Sequence, residues 1–123
     1  MTAKEYLSQA RQAELRIDAL LERRRRCLEL TRRRGRGQAA LDRLESELDR
    51  QIGEYAALAL EIEGRIDGLD SELQRDVLRY RYLNGWSWRE ISNRMRYSPS
   101  WVLKNHEDGL KALKNFCPGK IQE

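Results

Sequence analysis

Apolar residues recur along most of this chain at intervals of three and four, the spacing of helices that bury one face. Tyr6, Ala10, Ala13, Ile17, Leu20, Cys27 and Thr31 fall on one such repeat, with Arg24 taking an apolar position. They predict a helix of roughly 30 residues buried along one seam. Thr2 and Glu5 have capping-box spacing, so this helix begins almost at once. Leu7, Leu21 and Leu28 widen the stripe, which suits packing against more than one helix. Gly35 and Gly37, within RRRGRGQ, then interrupt the pattern as a loop or hinge.

The periodicity resumes near Ala39 and runs toward Leu83. Leu48, Ile52, Tyr55, Ala59, Ile62, Ile66, Leu69 and Leu73 keep heptad order, and Val77 and Tyr80 continue the stripe. Gly68-Leu69-Asp70 marks a candidate break, with Asp70 as the cap of a new helix. Asn84-Gly85 tolerates a left-handed backbone and ends the helix. Ser87 and Glu90 form a second capping box, and Trp88, Ile91 and Met95 give the short helix after it a buried stripe. A further break around Arg96 to Pro99 leads into a last helix, because Ser98-Pro99 is a start signal. Val102, Leu110 and Leu113 anchor that helix, His106 packs beneath it or sits at its edge, and Ser100, Trp101, Lys104 and Asn105 lie on the exposed side near its start. Tyr80 is expected inside and Tyr82 at an edge, Phe116 is expected against Leu113, and the residues beyond Cys117 form a tail.

The expected fold is therefore all-α. A long antiparallel helical hairpin or coiled-coil arm spans residues 1–69, with an Arg/Gly-rich loop at 32–38; a helix-turn-helix domain follows at 70–116, then the tail at 117–123. A short helix, a tight turn and a second helix with polar residues at its exposed start is a geometry that enters a DNA major groove. Ordinary helical packing is the competing reading.

Charge changes the picture more by its distribution than by its total of +4. Residues 1–38 carry 11 Lys or Arg against 5 Asp or Glu, residues 39–77 carry 4 against 11, and residues 78–123 carry 9 against 4. The acidic middle is an unfavourable DNA surface and suits a scaffold or self-association arm, giving a homodimer or higher oligomer. Eight arginines lie within the fourteen residues from Arg23 to Arg36. They are read as a solvated helix end, as partners of the acidic helix, or as phosphate contacts through Arg32, Arg33, Arg34 and Arg36. Arg79, Arg81, Arg89, Arg94 and Arg96 are the phosphate-contact candidates around the C-terminal module.

Catalytic chemistry is not expected. Glu61 and Glu63 face different directions on a helix, His106 is the single histidine, and Cys27 and Cys117 lack metal-ligand spacing. No enzyme activity, cofactor or metal is assigned. No apolar run approaches the ~20 residues that cross a bilayer, and the start lacks the apolar core of a signal peptide. A cytoplasmic location without membrane partners is the expectation.

Residues 78–113, and WREISNRMRYSPSWVLKNHEDGLKAL above all, resemble region 4 of the sigma-70 family. From TAKEYLSQAR through RYLNGWSWREI the chain is similar to small phage and prophage transcriptional regulators of the RinA and ArpU type. The resemblance implies sequence-specific binding of double-stranded DNA by the helix from Ser100, control of late phage genes, and contact with RNA polymerase. It also places Ser98, Ser100, Trp101 and Lys104 toward the groove. Sigma factors carry several arginines and a glutamate there; this chain has Pro99, Ser100 and Trp101. Two other readings are a small-terminase-like DNA-packaging adaptor and a helical scaffold that binds no DNA.

Overall fold

The computed structural model describes residues 1–116, with side chains through Lys114, so the packing expected of Phe116 and the tail lies outside the described residues. Every regular element among the described residues is helical. Helix α1 is Ala3–Arg34, α2 is Gln38–Asp67, α3 is Glu72–Leu78, α4 is Trp88–Met95 and α5 is Pro99–Phe116; a π-helical turn, Arg79–Leu83, continues α3. The chain divides into two compact units, Gln12–Ala57 and Met1–Arg11 with the chain from Leu58 onward.

In the unit Gln12–Ala57, Ile17 and Leu20 of α1 meet Leu48 of α2, with Leu44 and Tyr55 packed beside them. Arg24 donates two hydrogen bonds to Glu45 Oε1, at 3.1 and 3.2 Å, and Tyr55 Oη lies 3.5 Å from Glu14 Oε1. Numbers rise on one helix as they fall on the other, so these stretches run antiparallel. Arg24, the residue that breaks the apolar repeat, is placed there to meet a carboxylate. Ile52 differs from its expected seam position and is 45% exposed, because two helices cover only a narrow stripe and Leu48 and Tyr55 fill it. Gly35 and Gly37, at φ 68° and 111°, make the left-handed turn between the helices.

The other unit begins where Thr2 Oγ1 accepts the Glu5 N–H at 3.1 Å, capping α1. Ala3, Tyr6, Leu7 and Ala10 are buried within it, as are Ile62, Ile66 and Leu69. The Tyr6 hydroxyl donates to Glu61 Oε2 at 2.7 Å. Burial, with that carboxylate, raises the phenol's pKa.

The long helix stops at Asp67, next to the candidate break at Gly68-Leu69-Asp70. The last turn tightens, with Leu69 N–H donating to Ile66 C=O at 3.0 Å, and Ser71 then caps α3 by accepting the Gln74 N–H at 3.3 Å. Asp70, the expected cap, is one residue early; Ser71 has the extended backbone a cap needs, at φ −85° and ψ 119°. After Leu78 the turn widens, and the Asn84 N–H bonds Arg79 C=O five residues back. Gly85, at φ 72°, ends it.

Val77, Ile91 and Val102 form the core joining α3, α4 and α5, with Tyr80, Trp86, Trp88 and Met95 packed around it. Leu78, wholly buried, lies against α5 at Gly109, where a Cβ would meet Leu78 Cδ1 at 3.2 Å and Gln74 Cβ at 3.4 Å. Gly109 thus permits close helix approach. Tyr82, expected at an edge, is also buried, because the helix carrying it buries both Val77 and Leu78 and so has more than one inner flank.

Candidate nucleic-acid interface

Ser87 begins α4 with a reciprocal capping box: its Oγ accepts the Glu90 N–H at 3.1 Å and Glu90 Oε1 accepts the Ser87 N–H at 3.2 Å. Arg96 closes α4 in the left-handed region, at φ 60° and ψ 38°. Ser92 Oγ donates to Tyr97 C=O at 2.5 Å, pinning the turn from inside. Ser98 Oγ then accepts the Trp101 N–H at 3.2 Å, and Pro99 opens α5. The turn is thus held by side chains at both ends.

On α5, Val102, His106, Gly109 and Leu113 face inward. Ser98, Ser100, Trp101 and Lys104 are exposed; Asn105 is partly buried and donates from Nδ2 to Trp101 C=O at 3.0 Å. Lys104 and Asn105 stand three and four residues beyond Trp101, so the three side chains neighbour one another on the helix surface. Tyr97, which the pattern did not single out, is 41% exposed, and its ring lies 6.1 Å, centroid to centroid, from that of Trp101, itself 44% exposed. Its spacing of four before Trp101 was the available signal.

The arginines sort by what already holds them. Arg79 pairs with Asp67 and with Asp76, and its hydrogen bond to Asp67 raises its pKa. Arg81 donates to Trp86 C=O at 3.1 Å and lies 4.3 Å from the Trp88 ring centre. Arg94 sits 4.2 Å from the Trp86 ring centre, and Trp86 in turn stacks on Tyr80 at 4.6 Å. Arg89, in the first turn of α4, and Arg96, at its C-terminal cap, are exposed. In the unit Gln12–Ala57, Arg32, Arg33, Arg34 and Arg36 are exposed, and Arg33 pairs with Glu29 at 3.1 Å.

A cleft of about 500 Å³ opens beside the turn, lined by Leu73, Asp76, Tyr80, Trp86, Arg94, Met95 and Tyr97. Beneath α5, Tyr82 Oη and His106 Nε2 share a hydrogen bond of 2.7 Å, and the Trp88 ring meets the imidazole edge-on at 4.7 Å. Burial pushes the Tyr82 phenol up to about 12 and the His106 imidazole down from its ordinary 6.5. Both groups stay neutral at pH 7 and act as packing. Among the described residues no His, Cys, Asp and Glu cluster could hold a metal ion, and no helix is long and apolar enough to cross a membrane. Comparison with known protein families, characterised proteins and solved structures finds no match for the chain.

Proposed function

We propose that this protein is a sequence-specific double-stranded DNA-binding regulator of phage or prophage transcription. In this reading α4 and α5 are a helix-turn-helix, α5 enters the major groove, and the antiparallel stretches of α1 and α2 are an arm for self-association. Ser98, Ser100, Trp101, Lys104 and Asn105 meet base edges or methyl groups. Arg89 and Arg96 grip phosphates beside them, and RNA polymerase is a further partner. The supporting observation is that the first turns of α5 leave Ser100, Trp101 and Lys104 exposed while Val102 and His106 anchor the opposite side. Two copies would space their reading helices by ~34 Å or a multiple.

A binding selection against genomic fragments with purified protein tests this directly. An enriched motif is expected, and Lys104→Ala is expected to weaken binding and relax preference at one position. Unchanged affinity and preference in that variant would reject the reading surface. A closed ring much larger than a dimer would favour the DNA-packaging alternative.

A further inference from the structure

Helix α2 has a second row of positions, half a turn away from inward-facing Leu48, Tyr55 and Ile62. Arg50, Gly53, Ala57, Leu60, Gly64 and Asp67 follow one another at intervals of three and four, and all six are exposed. The row runs for ~26 Å along the helix. Leu60 stands near its middle at 72% exposure, the highest of any large apolar side chain among the described residues. One exposed leucine is ordinary on a protein surface. Here, however, its neighbours in the row are all small, and a Cβ at Gly53 or Gly64 would meet nothing within 4 Å.

The order of side chains along the row identifies the occupant as the same row on a second copy of the chain. With two copies antiparallel about a two-fold axis between Leu58 and Ala59, Leu60 of each lies level with Ala57 of the other, and Gly53 with Gly64. Each large side chain then meets a small one, and the glycines let the backbones come close. The same axis sets Arg50 level with Asp67 at both ends of the row. A parallel pair would instead oppose Arg50 to Arg50 and Asp67 to Asp67. Charge therefore chooses the direction. Arg50 already holds Glu47 and Glu54, and Asp67 holds Arg79, so the cross-pairs fix the register and add little strength.

We propose that this face of α2 is where two copies of the chain pair, antiparallel, with Leu60 of each seated against Ala57 of the other. This rests on the self-association assigned above and names the face, the direction and the register; it does not depend on DNA binding.

Sedimentation equilibrium of the full chain across micromolar concentrations is expected to show a dimer. Leu60→Gln changes an exposed residue to one of similar helix propensity, so the helical circular dichroism signal should persist. The dimer should weaken by about a hundredfold, the loss of two buried leucine side chains. Direction is read by pulsed electron paramagnetic resonance from a nitroxide at Ser46→Cys, with Cys27 and Cys117 changed to serine. The antiparallel pair places the two labels about 40 Å apart, and a parallel pair within ~20 Å. A chain that stays monomeric would remove both this pairing and self-association. A dimer that Leu60→Gln leaves intact would overturn the pairing face and leave self-association to another surface. A dimer that Leu60→Gln weakens but whose labels lie within ~20 Å would overturn the antiparallel arrangement.

Discussion

His106 lies between the Tyr82 hydroxyl and the Trp88 ring, and burial there lowers its pKa below the ordinary 6.5. Lys4 and Arg81 act in the same direction, and Glu107, 3.7 Å from Nδ1, acts against it. The unfolded chain therefore takes up the proton at a higher pH than the folded chain does. This group's contribution is complete above about pH 6.5 and is lost as pH falls toward the lower folded pKa. The melting temperature is expected to drop between pH 7 and pH 5, and His106→Gln to flatten that part of the profile. A single histidine makes the check direct, since its one imidazole signal in NMR should titrate below 6.5. Tyr82→Phe leaves a buried ring nitrogen without its partner and is expected to cost about 1–3 kcal/mol in denaturant unfolding. The place of His106 under the last helix follows from its spacing between Val102 and Leu110. Tyr82 escapes the same reasoning because periodicity assumes one inner face, whereas adjacent Val77 and Leu78 are both buried.

At the scale of elements, three glycines with the same helix propensity have different surroundings. A methyl group at Gly53 or Gly64 meets nothing within 4 Å, so Gly53→Ala and Gly64→Ala should each stabilise by up to about 1 kcal/mol. At Gly109 the methyl presses on wholly buried Leu78, and overpacking costs ~1–3 kcal/mol. Gly109→Ala should therefore lower the melting temperature despite its better propensity. Arg96 poses an opposite conflict: its left-handed backbone costs an L-residue ~1–2 kcal/mol, which glycine would relieve. Arg96→Gly should raise the melting temperature and weaken DNA binding together. The capping box at Ser87 and Glu90 was legible because both partners are local. The cap at Ser71 was less so, since Asp70 and Ser71 are both good capping residues and only the backbone path chooses between them.

Across the molecule, the alternation of basic and acidic segments is visible in the sequence, but the prior engagement of each charge is not. Arg89, Arg96 and Lys104 are exposed, whereas Arg79 pairs with Asp67 and Asp76. Neutralising Arg89 or Arg96 should reduce the slope of log affinity against log salt by about 1. Arg79→Ala should leave that slope unchanged and lower stability. Substitutions within Arg32–Arg34 should weaken binding to all duplexes alike and reduce the slope. All-helical character is legible throughout because long apolar repeats report it directly. The interruption near Gly68 is only partly legible, since the heptad pattern carries on through Leu69 and Leu73 while the backbone does not.

The π-helical turn at Arg79–Leu83 gives residue count an angular meaning. A bond spanning five residues stands there where an α turn spans four, so the turn absorbs one residue, and deleting one would restore α geometry with Asn84 kept near its present heading. A codon gained there has no such room, and a further step of ~100° would turn Ile91 and Val102 away from Val77.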